Sequence, residues 1–380
     1  MTLIKLSFQY QIKLKYIIKK VQKIKHQYIG EILMSKTRIE WVDLVRAIAI
    51  LTVLYIHATD GIYIISSDAI MHYTLFSRIF QFASLFIGRL GVPFFLMITG
   101  FLLLDREYDN ERTQKFWRNN CKNLVIITII WAVIYALSLQ VVSVNSTSVN
   151  FTEAGNLFFS HMWYMPMIIG MYLSMPFVTA ALRHFDNKVI LHATIVFSLL
   201  AYVMPFVTTV FDMNGISGVT LQYSLGFSGG VYGIYLVLGY LVKKGEFKKI
   251  PTYVLGVLAL ISFIICILFQ YYAFIKGYNF FLWYEFPFVA IGSFALFEAT
   301  SRRQNVKAYG FVKFLSKYSF AVFLIHNLFR LPLLPVVVKL PFTEPVKAII
   351  LWILLIFFSY IAAVIVYRIP KFGKYILYMR

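Results

Sequence analysis

Runs of about 20 apolar residues recur along this chain, and nothing else constrains its fold as strongly. A helix rises 1.5 Å per residue, so such a run crosses the roughly 30 Å hydrocarbon core of a bilayer. Ten runs can be marked, at approximately 44–65, 79–104, 123–143, 161–182, 189–210, 225–242, 251–271, 281–299, 318–338 and 346–367, with ends good to about 2–4 residues. Lipid offers no partner to backbone N–H and C=O groups, so runs of this length fold as helices. Composition agrees. Of the 380 residues 60% are hydrophobic and 14% charged, against about 25% charged in soluble domains. The expectation is an all-α, polytopic integral membrane bundle of about ten transmembrane helices. Residues 38–380 form one membrane domain, preceded by a basic segment, 1–37.

Charge placement gives the orientation. The net charge is +20, and the basic residues collect in alternate connecting segments. Arg106, Arg112, Lys115, Arg118 and Lys122 lie between runs two and three. Arg183 and Lys188 follow run four, Lys243, Lys244, Lys248 and Lys249 follow run six, and Arg302, Arg303, Lys307, Lys313 and Lys317 follow run eight. The tail adds Arg368, Lys371, Lys374 and Arg380. The intervening segments 144–160 and 211–224 have no basic residue, and 272–280 has only Lys276. The positive-inside rule places both termini in the cytoplasm. Anionic lipid, not nucleic acid, is the partner that this pattern implies. Residues 1–33 lack the h-region and cleavage site of a signal peptide. They read either as an amphipathic segment on the inner leaflet or as sequence upstream of a true start at Met34. The two cysteines, Cys121 and Cys266, imply neither a disulfide nor a metal site. Lys- and Ile-rich usage points to a bacterial cytoplasmic membrane.

Ionisable residues inside the membrane are the candidates for chemistry. In the first run Asp43 precedes Arg46, and His57 follows eleven positions later. Eleven residues are about three turns, so Arg46 and His57 share a face and lie roughly 16 Å apart along the axis. Asp43 can pair with Arg46, and Asp60, one turn past His57, can orient its imidazole. The plainer alternative has Arg46 snorkelling to the interface and His57 capping the helix. Other candidates are His326 within the ninth run, Trp163 as an interfacial anchor or sugar-stacking ring, His161 in a similar role, and Glu285 as a buried carboxylate needing a partner.

Five stretches, in order, give these residues a context. "WVDLVRAIAILTVLYIHA", "GVPFFLMITGFLLL", "KFWRNNCKNLVI", "HMWYMPMIIGMYLSMPFV" and "LSKYSFAVFLIHNL" together resemble the acyltransferase-3 family of integral membrane acyltransferases over residues 38–367. Thr99 stands where that family usually has Ser, Tyr164 where it has Phe, and Asn119 and Asn120 where a second Arg is often seen near Arg118. The resemblance implies transfer of an acyl group, usually acetyl, from cytoplasmic acyl-CoA to a hydroxyl of a glycan or lipid-linked sugar, with no bound cofactor. CoA phosphates suit Arg46, Arg118 and Lys122. His57 suits the general base or an acylated intermediate, and Trp163 and His326 suit substrate contact. No extracytoplasmic esterase domain is expected after the tenth run. Rival readings are a polysaccharide exporter, which would show two related halves, a non-catalytic assembly partner, and an enzyme moving another acyl group such as succinyl.

Overall fold

The computed structural model describes residues 38–64, 66–142, 162–216, 230–370 and 372–379. The basic N-terminal segment, the Met34 alternative, His161, Lys371 and Arg380 lie outside these. Among the described residues there are helices and no strand. The helices are α1 (Glu40–Ile62), α2 (Ser67–His72), α3 (Leu75–Arg89), α4 (Gly91–Leu103), α5 (Asn110–Phe116), α6 (Lys122–Val142), α7 (Tyr164–His184), α8 (Asn187–Ser198) and α9 (Met204–Met213). They continue with α10 (Gly230–Lys244), α11 (Thr252–Ile275), α12 (Pro287–Ser301), α13 (Tyr309–Val338), α14 (Glu344–Arg368) and α15 (Phe372–Ile376). Wider π-type turns join α5 to α6 (Trp117–Cys121) and α8 to α9 (Leu199–Val203). Helix starts follow local chemistry: the side chains of Ser66, Thr74 and Asp109 accept from backbone N–H groups three residues on.

Eight continuous runs are long and apolar enough to span: Glu40–Ile62, Leu75–Leu103, Asn110–Ser138, Tyr164–His184, Asn187–Met213, Thr252–Ile275, Tyr309–Val338 and Glu344–Arg368. The eighth expected span is shorter, appearing as α12 of 15 residues, about 22 Å long. Of the sixth, the described residues hold α10, and 225–229 lie outside them. For α12 the cause is legible. Pro287 lacks an N–H and forces Phe286 into extended backbone (φ −70°, ψ 124°). Residues 281–286, expected to be helical, are therefore not, and Glu285 lies exposed in the connection instead of buried in a helix.

Helix α1 sits between two apolar cores. Trp41, Val42, Val45, Ala49 and Ile56 pack into one, with α3, α4, α10, α11 and α12. Ala47, Ile50, Val53, Leu54 and Ala58 pack into the other, with α6, α13 and α14. Helices α4 and α10 approach closely at a reciprocal glycine contact. A Cβ on Gly100 would lie 1.8 Å from the Leu236 carbonyl oxygen, and one on Gly239 would lie 2.0 Å from that of Met97. Small residues that admit a neighbouring backbone are the usual means of joining helices in lipid. Beyond this crossing, Lys243 and Lys244 hold Asp105 at 3.2 and 2.5 Å.

Candidate active site

Two polar clusters hang on the buried α1, one near each end. At the first, Asp43 is 2% exposed and Arg46 28%. Arg46 Nη1 donates to Asp43 Oδ1 and Ser316 Oγ, each at 3.3 Å. Ser316 donates to Asp43 Oδ1 (2.6 Å) and Tyr309 to Asp43 Oδ2 (2.8 Å). The buried carboxylate thus fixes α13 against α1 and aims a half-exposed guanidinium. Pairing and hydrogen bonding of this kind are the condition for burying a charge.

About 16 Å along α1 lies the second cluster. The rings of His57 and His326 meet with centroids 5.1 Å apart and planes inclined by 40°. His326 Nδ1 approaches two carbonyl oxygens of its own helix, Phe323 (2.8 Å) and Val322 (3.2 Å). Both partners only accept, so the hydrogen sits on Nδ1, and a neutral ring presents Nε2 as an acceptor. One turn further, Arg330 Nε donates to the His57 carbonyl at 2.8 Å. Gly61 leaves room for it, since a Cβ there would lie 3.2 Å from Arg330 Nη2. Asp60, expected to orient His57, directs its carboxylate toward Arg89 at 3.9 Å.

The structure therefore joins Asp43 with Arg46, and His57 with His326. It does not bring Arg118 or Lys122 into either cluster. Both are exposed, Arg118 on the π turn and Lys122 at the start of α6, and neither forms a hydrogen bond or ion pair with the described residues. Trp163 lies at the N-cap of α7. Its ring meets Tyr164, Tyr232, Trp283 and Tyr284 at centroid distances of 5.5–6.3 Å. Sequence reasoning missed Arg89, Arg330, Ser316 and Tyr309. Arg89 and Arg330 were findable, because each is a charge within an apolar run.

A family model described as an acyltransferase domain matches residues 39–368. The chain belongs to the acyltransferase-3 family. No curated protein and no solved structure matches. The chain is a multi-pass membrane acyltransferase. Family membership gives meaning to local detail. The Thr99 hydroxyl, in the place of the usual Ser, donates to the Phe95 carbonyl at 2.8 Å, so it serves its own helix, while the adjacent Gly100 makes the backbone crossing.

Proposed function

We propose that this acyltransferase moves an acetyl-type group from cytoplasmic acyl-CoA to a hydroxyl of a surface polysaccharide, wall polymer or lipid-linked sugar. One observation carries the reading. A single buried helix bears a braced cation near one end and, on the same face near the other, a histidine that meets His326 of α13. With both termini cytoplasmic, as the basic segments indicate, Arg46 opens toward the CoA side. Arg118 and Lys122, exposed and uncommitted on that side, meet the phosphates.

His57 then takes the proton of the acceptor hydroxyl as its oxygen attacks the thioester carbonyl. The tetrahedral intermediate collapses, the C–S bond breaks, an ester C–O bond forms, and CoA sulfur leaves as thiolate and takes up the proton. His326, inclined against the His57 ring, holds it in place. Arg330, anchored on the His57 backbone, sets a cation beside the developing oxyanion.

The test is genetic and chemical. The gene is deleted in its host and restored as wild type or His57→Ala at matched membrane abundance, and base-labile acetate is measured on purified surface glycan. Acetate is expected to fall in the deletion, return with wild type and stay low with His57→Ala. Unchanged acetate in the deletion sinks the acetyl assignment.

A further inference from the structure

The connection between α11 and α12, residues 276–286, is non-helical, yet buried donors hold its backbone. Arg89 Nε donates to the Leu282 carbonyl (3.0 Å), Tyr235 to that of Tyr284 (2.8 Å), and Gln270 to that of Phe280 (2.5 Å). Irregular backbone in a membrane bundle is tolerated where it is buried in protein or lines a site. The Arg89 side chain is 5% exposed. Its guanidinium lies over the rings of Trp283 (4.3 Å), Phe281 (5.0 Å) and Tyr284 (5.4 Å). Its Nη2 has no partner within hydrogen-bond distance and pairs with the Asp60 carboxylate only at 3.9 Å. A desolvated N–H so loosely held can take a ligand oxygen.

Around this donor, Trp163 inclines its ring by 39–43° to those of Tyr232, Trp283 and Tyr284. Trp163, Tyr232 and Trp283 are half-buried, while Tyr284 is buried. Trp283 Nε1 donates to the Tyr232 hydroxyl at 3.3 Å, which fixes two of the rings. Helices α1 and α3 touch beside this group: a Cβ on Gly88 would lie 2.4 Å from that of Ile56. Gly88 and Ile56 are the chain neighbours of Arg89 and His57.

We propose that Trp163, Tyr232 and Trp283, with Arg89 at their edge, form a subsite for a pyranose ring of the acyl acceptor. This rests on the reading of the acceptor as a glycan. Fixed aromatic faces match the C–H face of a sugar, and an Arg N–H suits a hydroxyl oxygen. An acyl tail would instead favour an aliphatic wall with no buried donor.

The test measures equilibrium binding of end-labelled, alkali-de-acylated fragments of the host's surface glycan to the full chain in nanodiscs. Variants are Trp163→Ala, Trp283→Ala, Trp283→Phe and Arg89→Gln, each checked for an unchanged melting curve. Saturable binding to the wild type, weakened about tenfold in each Ala variant and largely restored in Trp283→Phe, is the expected result. No binding to the wild type, or equal binding to all folded variants, overturns the subsite. Binding as expected without acyl transfer from any CoA thioester would instead defeat the proposed function and leave the subsite standing.

Discussion

Arg330 is the residue whose placement most changes the expected chemistry. It reaches from α13 to the backbone of His57, so its charge is held beside the imidazole without competing for the ring. Arg330→Gln is expected to lower the acyl-transfer rate about 10²-fold or more with membrane abundance unchanged, as for removal of one oxyanion donor. Arg330→Lys, with the charge but not the planar fork, should recover only part. An equal loss of abundance and rate would reduce Arg330 to a packing role. The spacing of Arg46 and His57 and the Asp43 pairing were readable in the sequence, because helical periodicity fixes them within one element. Partners on another element, Ser316 and Tyr309 for Asp43 and Arg89 for Asp60, were not. Their sequence separations say nothing about which helices adjoin.

At the scale of elements, the α4–α10 contact tests whether backbone approach organises the bundle. Gly100 and Gly239 face each other's main chains with no room for a methyl group. Gly100→Ala is therefore expected to part the helices and destabilise the protein by about 3 kcal/mol, the upper range for overpacking. Gly256→Ala on α11 is the control. Its Cβ would meet nothing within 4 Å, so the melting temperature in detergent should hold or rise slightly. The same helix pair ends in the Asp105–Lys243–Lys244 cluster. Burial raises the Asp105 carboxyl, but hydrogen bonds from Lys244 and Lys243 outweigh this and hold it below the usual range. A depressed carboxylate stabilises above its unfolded pKa, about 3.9, and the benefit fades as pH falls through the folded value. Wild type should exceed Asp105→Asn by about 0.5–1 kcal/mol from pH 7 to 5, and the difference should begin to shrink only below about pH 4. The shortening of α12 could have been read from Pro287. That the preceding connection is aromatic and hydrogen-bonded depends on α3 and α10, which periodicity does not assign.

For the whole molecule, the proposed direction of transfer depends on which side each cluster faces, and the charge pattern sets an expectation about that which is independent of the fold. The Lys248 and Lys249 connection should be cytoplasmic, and the connection at Lys276–Asn279 should face outside. These two segments flank α11, a 24-residue span, so they must report from opposite sides if α11 crosses. Cys121 and Cys266 are both buried, so a background with Ser at 121 and Ala at 266 gives a clean start for single-cysteine labelling. Lys248→Cys should react with a membrane-impermeant maleimide only after the cells are opened. Asn279→Cys should react in intact cells. The reverse pattern would turn the bundle over, place Arg46 outside and remove it from CoA. Labelling of both sites in intact cells would mean that α11 does not cross, and the eight spans would need to be redrawn. The expected pattern would put the braced cation toward the proposed donor side and the histidine pair, with its aromatic neighbour, toward the proposed acceptor side. On that proposal one helix, α1, buried against both cores, would serve both ends of the reaction.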